Sequence, residues 1–460
     1  MSDTFDVIVV GGGPAGEVAV ERVSAGGLSV ALVERELVGG ECSYWGCIPS
    51  KTLLRPGDVL AAARRVPGAL EAVDGGVDAS SAFAQRDYMT SSWSDEGQVK
   101  WLDGIGATLV RGHGRLVGER AVEVTQNGST TMLEARRAVV LATGTGPLLP
   151  PIEGLAEAMA WTNREATEAS HVPDTLLVLG GGAVGVELAQ AYRRFGAEVT
   201  VIEGSARLLG REEPFAGEEV RQAFEAEGIE VLLEARAAAV NRTDGTVSVR
   251  LEDGRERDGD ELLVGVGRRP STSDLGLETV GLEPGRAIEV DDSLRAVGVE
   301  GRWLYAIGDV NGRAPLTHMG KYHARIAGDA ILGREVAAIA DRLALPRVTF
   351  TDPQVAAVGL TEDQARAQGI DVRAVTYGTG DVPGAYTRGN GIKGTSKLVV
   401  DAPRGVVVGA TFTGPDVQEL LHSATIAIVA QAPLETLWHA VPSFPTVSEV
   451  WLRLLEAYGL

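Results

Sequence analysis

Asp6-Val7-Ile8-Val9-Val10 runs directly into Gly11-Gly12-Gly13-Pro14-Ala15-Gly16, and this junction decides the fold. The first five residues read as a strand, because an unbroken apolar run stopped by glycine suits a strand covered on both faces. The next six match G-x-G-x-x-G. A helical stretch follows over Glu17–Ala25, then a second apolar run over Ser29–Val33 that ends in Glu34. Together these parts form a dinucleotide site. Glycine lets the backbone turn tightly and approach a pyrophosphate, the helix N-terminus faces that anion, and the acid ending the second strand accepts from a ribose hydroxyl.

The same arrangement recurs. Leu176–Leu179 reads as a strand, Gly180-Gly181-Gly182-Ala183-Val184-Gly185 as the loop, Val186–Phe195 as the helix, and Val199–Ile202 as a strand ending in Glu203. From Gly11 to Glu34 is 23 positions, and from Gly180 to Glu203 is also 23. A lone glycine motif is often only a turn, but two complete units on one ruler are a strong signal. The expected cofactor contacts are Gly11, Gly13, Gly16 and Glu34 at the first site, and Gly180, Gly182, Gly185 and Glu203 at the second. Glu203 favours NADH because a carboxylate repels a 2′-phosphate, while Arg207 nearby leaves NADPH open.

Cys42 and Cys47 are the only two cysteines among 460 residues, and they lie five positions apart. Two thiols do not complete a four-ligand zinc site, and the six histidines are scattered, so no metal is expected. Inert buried thiols are one reading of the pair, and a redox couple is the other. The surroundings favour the couple. Pro49 suits a helix start, which puts Cys47 at the positive end of a helix dipole, where thiolate is favoured. Lys51 follows one helical turn later.

Acidic residues outnumber basic ones 63 to 42, for a net charge of −21. That balance disfavours nucleic acid and anionic membrane surfaces as partners. No signal peptide is evident, and no stretch reaches the ~20 apolar residues of a spanning helix. The expectation is a cytoplasmic protein of two to four domains.

Two dinucleotide sites beside a thiol pair suggest electron transfer. Nicotinamide moves hydride, and passing those electrons to a disulfide calls for an intermediary, usually flavin. The cysteines follow Glu34 by only eight residues, so the first site is expected to hold FAD and the second the nicotinamide nucleotide.

At this point the sequence resembles the flavoprotein disulfide reductases, the family of dihydrolipoamide dehydrogenase, glutathione and mycothione reductases and mercuric reductase. Gly39–Lys51 is similar to that family's GG-x-C-x4-C-x-P-S-K box. Leu141-Ala142-Thr143-Gly144 and Val264–Pro270 resemble its two crossovers, Leu304–Asp309 its second flavin motif, and Phe350–Val355 with Val358–Thr361 the opening of its interface domain. The resemblance implies an α/β fold with two Rossmann-like domains and a C-terminal α+β dimerisation domain. The implied boundaries are 1–147 and 271–345 for the FAD-binding domain, 148–270 for the NAD(P)-binding domain, and 346–460 for the interface. Strands are expected near Ala374–Tyr377, Lys397–Val400 and Val406–Thr413, with a helix near Asp416–Gln431.

The resemblance also implies roles. Cys47 becomes the flavin-proximal thiol and Cys42 the thiol that attacks substrate. Lys51 sits near the flavin, paired with Glu187. Gly40, Thr143, Gly144, Gly267, Gly308 and Asp309 join the cofactor contacts. Taken alone, Glu187 reads as a solvated helix residue and Asp309 as part of a turn. A homodimer is implied, with each C-terminal motif completing the other chain's active site.

One motif departs from the family. Its C-terminal H-P-T-x-S-E carries the proton-handling histidine, and here the segment is Phe444-Pro445-Thr446-Val447-Ser448-Glu449. Phe444 cannot take or give a proton, so the acid–base pair is broken and Glu449 lacks its partner. His439 is a possible substitute, or an ordinary surface residue. The 2-ketopropyl-coenzyme M carboxylating reductase of the family also has Phe at that position. Between the cysteines, Tyr44 and Trp45 either shape the disulfide pocket or pack against the flavin domain. Three functions follow: NAD(P)H-dependent reduction of a small-molecule disulfide, thiol or related acceptor; a diaphorase, quinone-type or other thiolate reaction; and a cofactor-bearing binding component of a larger complex.

Overall fold

The computed structural model describes residues 3–460. The chain divides into two compact units. One comprises the segment ending at Pro49, Arg86–Pro147 and Arg268–Asp341; the other comprises Ser50–Gln85, Leu148–Gly267 and Arg342–Leu460.

In the first unit, the strand Asp3–Val10 pairs in parallel with Val30–Glu34 on one side and Ser129–Leu141 on the other. Thr108–Arg111 and Leu304–Ala306 extend the parallel arrangement at either hand. The unbroken apolar runs have the cause inferred for them: Val7–Val10 and Val30–Val33 are buried on both faces. Each valine or leucine taken fully from water contributes about 1.5–3 kcal/mol, which makes these strands the centre of the unit. The helices Pro14–Ala25 and Thr317–Ile331 pack against each other. The first starts at Pro14, three residues before the apolar pattern suggested, because Pro suits the first turn.

The second unit holds two separate cores and smaller satellites. A four-stranded parallel sheet runs in the order Glu230–Leu232, Glu198–Ile202, Thr175–Leu179, Glu261–Val264. A five-stranded antiparallel sheet runs Arg347–Thr349, Gln354–Gly359, Val406–Gly414, Thr395–Asp401, Val372–Gly378. The apolar helix Val417–Val429 packs on the latter sheet. No helix among the described residues is long and apolar enough to cross a membrane.

Candidate active site

The two glycine loops share the same geometry. Gly11 has φ +105° and Gly180 φ +110°, backbone that favours glycine. A Cβ on Gly16 would overlap the Gly11 carbonyl, and one on Gly185 would overlap the Gly180 carbonyl. At the mouth the space is open instead. A Cβ on Gly13 would meet nothing closer than Gly40 Cα at 4.0 Å, and one on Gly182 nothing within 4 Å. Neither loop helix has a side-chain N-cap, so each positive helix end is left for an anion. Both loops therefore fit a dinucleotide pyrophosphate.

The terminal acids have a job that sequence alone did not reveal. Glu34 accepts from the Gly12 amide at 2.6 Å and the Glu36 amide at 2.7 Å. Glu203 accepts from the amides of Gly181 and Ser205, both at 2.6 Å. Each carboxylate closes its own loop and keeps lone pairs able to accept further hydrogen bonds. Arg207 turns away to donate to the Gly210 carbonyl.

Also in the first unit, Cys42 lies in the short helix Gly40–Tyr44, and Cys47 opens the helix Cys47–Arg64. That helix starts two residues before Pro49. The two thiols are partly buried. They share a hydrogen bond, which together with burial pushes the Cys42 thiol well up, so the two do not ionise together. Thr317 Oγ1 lies 3.3 Å from Cys47 Sγ and also hydrogen-bonds Cys42. Its distance in sequence hid it. Tyr44 is buried, with its hydroxyl donating to the Val38 and Ser94 carbonyls, which is the packing role rather than the pocket-shaping one.

Asp309 sits in the turn Gly308–Asn311. Its Oδ2 accepts from Thr145 Oγ1 at 2.9 Å, and burial raises its pKa. Gly308 and Gly144 both have positive φ, at +71° and +66°. Thr143 Oγ1 donates to the Ser271 carbonyl at 3.1 Å, so the two crossover strands meet here.

In the second unit, Lys51 Nζ is 2.6 Å from Glu187 Oε2. Glu187 is only 3% exposed, which corrects the solvated reading of that residue. Its other oxygen accepts from the Phe350 amide at 2.9 Å, and the Phe350 ring centre is 5.0 Å from the ammonium. Gly267, with φ +153°, bonds through its carbonyl to the Leu148 amide.

The C-terminal motif is divided. Phe444 is 75% exposed and precedes a cis peptide bond to Pro445. Glu449 is 6% exposed; its Oε1 accepts from Arg453 at 2.7 Å, while its Oε2 is buried with no hydrogen-bond partner among the described residues. Arg453 was missed, although an i,i+4 spacing could have revealed it. His439 is exposed, and its ring makes no hydrogen bond or ion pair among the described residues. No cluster of three metal-ligating side chains occurs among the described residues.

The chain is similar to known proteins. Residues 5–324 match the pyridine nucleotide-disulphide oxidoreductase family, and residues 345–454 match its dimerisation domain. The chain is 31% identical over 484 residues to a dihydrolipoyl dehydrogenase of Rhizobium etli, covering 100% of this chain and 99% of that one. It is 30% identical over 449 residues to a mercuric reductase of Staphylococcus aureus, covering 97% and 81%. Among solved structures, LpdA from Mycobacterium tuberculosis superposes with a TM-score of 0.87 at 26% identity, covering 100% of both chains. The HOCl-induced flavoprotein disulfide reductase RclA from Escherichia coli shares the fold, with a TM-score of 0.87 at 24% identity and 99% of both chains covered. This chain belongs to the pyridine nucleotide-disulphide oxidoreductase family and is a disulfide-reductase flavoenzyme dependent on FAD and NAD(P)H.

Proposed function

We infer that this enzyme moves electrons from NADH through FAD and the Cys42–Cys47 pair to an acceptor whose product needs no proton from the protein. The observation that carries the reading is the pairing of Glu449 with Arg453, together with an exposed Phe444 five residues before Glu449. No imidazole stands at position 444, and the carboxylate that would orient one is held by a guanidinium instead.

Bound in the first loop, FAD would supply the two-electron relay between a nicotinamide hydride and the disulfide. Gly11, Gly13, Gly16, Glu34, Gly40, Thr143, Gly144, Gly308 and Asp309 hold FAD in this reading. Gly180, Gly182, Gly185, Glu203 and Gly267 hold the nicotinamide nucleotide. The domain boundaries are those assigned from sequence, in a cytoplasmic homodimer.

In the exchange, Cys42, which favours its protonated form, first gives its proton to water; the thiolate then attacks one sulfur of a disulfide substrate, and the first substrate thiolate leaves. Cys47 thiolate then attacks Cys42, releasing the second thiolate and closing the Cys42–Cys47 bond. The substrate gains two electrons and the cysteine pair loses them. Both leaving thiolates must find protons, and Phe444 supplies none. Low-pKa leaving groups depart without that help, so aromatic disulfides are favoured over aliphatic ones. A soft metal ion also needs no proton; the mercuric reductase relatives are named for such an acceptor.

The test begins with anaerobic NADH titration and a count of free thiols, in which two thiols per chain are expected. Rates are then compared for an aromatic and an aliphatic disulfide. Phe444→His is expected to raise the aliphatic rate by about tenfold or more and to add an ionisation to its pH profile. An aliphatic rate equal to the aromatic one in the unaltered enzyme contradicts the reading.

A further inference from the structure

His323 lies in the Thr317–Ile331 helix, 0% exposed, and neither the thiol exchange nor the nucleotide loops use it. Its Nδ1 is 3.2 Å from the Gly308 amide nitrogen and 3.3 Å from Asn311 Nδ2. The orientation of the Asn311 amide is fixed by its neighbours: Nδ2 also donates to the Ala306 carbonyl at 3.1 Å, and Oδ1 accepts from the Arg313 amide at 3.0 Å. Both groups facing Nδ1 are therefore donors, and Nδ1 carries no proton. The proton sits on Nε2, which donates to Asp341 Oδ1 at 2.8 Å. Asp341 is 5% exposed in its side chain, and Arg313 Nη1 lies 3.6 Å from its other oxygen.

This arrangement has a direction. Asp341 fixes the tautomer, the tautomer makes Nδ1 an acceptor, and the acceptor pins the Gly308 amide. Gly308 is the left-handed residue, at φ +71°, that turns the chain so that Asp309 follows. Asp309 is held from the other side by Thr145. A polar residue at the core of a helix pays for burial only through such bonds.

We propose that His323 is a positioning residue for the flavin: the imidazole, locked by Asp341, sets the Gly308–Asp309 turn that presents the Asp309 carboxylate to FAD. The inference rests on the reading of Asp309 as an FAD contact. It goes beyond that reading by assigning the control of the turn to a group that touches neither substrate nor cofactor.

The two amide isosteres separate this role from mere packing. Asparagine places its oxygen near the Nδ1 position and keeps the acceptor for Gly308. Glutamine reaches toward the Nε2 position and keeps the donor for Asp341 but loses that acceptor. FAD dissociation constants are measured by flavin fluorescence on reconstituted full-length protein for His323→Asn, His323→Gln and, as a check on the underlying reading, Asp309→Asn. Melting temperatures of the apoproteins are recorded in parallel. Loss of one hydrogen bond through His323→Gln is expected to weaken FAD binding about tenfold, equivalent to about 1.4 kcal/mol, with His323→Asn losing clearly less. Asp341→Asn, which releases the tautomer, is expected to weaken binding too, and it serves if the His323 variants do not fold.

If Asp309→Asn weakens FAD binding while His323→Gln and Asp341→Asn do not, the His323 role is overturned and the Asp309 reading stands. If Asp309→Asn also binds FAD as the parent does, both fall. Equal losses in the Asn and Gln variants, matched by equal falls in apoprotein melting temperature, reduce His323 to a packing residue and overturn the proposal.

Discussion

Removing Lys51 should damage the protein more than removing Glu187, although the two form one ion pair. The 2.6 Å contact corresponds to a gross attraction of about 6 kcal/mol at an effective dielectric of about 20, most of it cancelled by desolvation. The remainder depends on which partner is left behind. The Glu187 side chain is 4% exposed and the Lys51 side chain 35%. Lys51→Met strands a carboxylate whose one remaining donor among the described residues is the Phe350 amide. Breaking a fully buried pair costs about 3–5 kcal/mol, and partial water access at Lys51 lowers this to about 2–3 kcal/mol. Glu187→Gln still accepts from Phe350 and leaves an ammonium that water reaches, so about 1 kcal/mol is expected. The double variant should resemble Glu187→Gln, because no buried charge remains. Urea unfolding of the FAD-loaded protein measures all three. Equal losses in the two single variants would refute the reasoning.

Burial raises the Glu17 carboxyl from its ordinary 4.5 to about 7, with Lys321 opposing. The folded state then holds a proton that the unfolded state releases, so stability falls as pH rises from about 4.5 to about 7 and is level above. Glu17→Gln should stabilise by on the order of 1–3 kcal/mol at pH 8 and not at pH 4, read by thermal melts; a gain equal at both pH values rejects this. Glu203→Gln keeps a loop acceptor but drops the charge, so the NADH-to-NADPH ratio of kcat/KM should fall about tenfold in steady-state assays. An unchanged ratio would remove Glu203 from cofactor choice.

The fold was legible because its main signals are local and repeated. Gly11–Glu34 and Gly180–Glu203 each carry strand, loop, helix and acid in one stretch, and backbone packing at Gly16 and Gly185 leaves little freedom in what they build. The thiol pair was legible from the rarity of cysteine. The partners of these groups were not. Thr317 reaches Cys47 across 270 positions, Phe350 reaches Glu187 across 163, and His323 meets Gly308 only because a helix returns to the loop. Glu187 read alone as solvated because a charged residue on a helix usually is; its burial depends on a lysine 136 positions away. Arg453 lay within reach of a local rule, four residues past Glu449.

The C-terminal motif separates its frame from its chemistry. A Cβ on Gly384 would overlap the backbone of Thr446, so this part of the motif is seated by main chain against main chain. Phe444, two residues earlier, spends most of its surface outside its own chain's core. Evolution can therefore exchange the reactive side chain at 444 without rebuilding the support beneath it. A lineage could pass from proton carrier to inert ring, or back, by single steps that leave the monomer's fold intact. New acceptors would then be explored at this one position at little risk to folding, with Gly384 as the residue least free to follow.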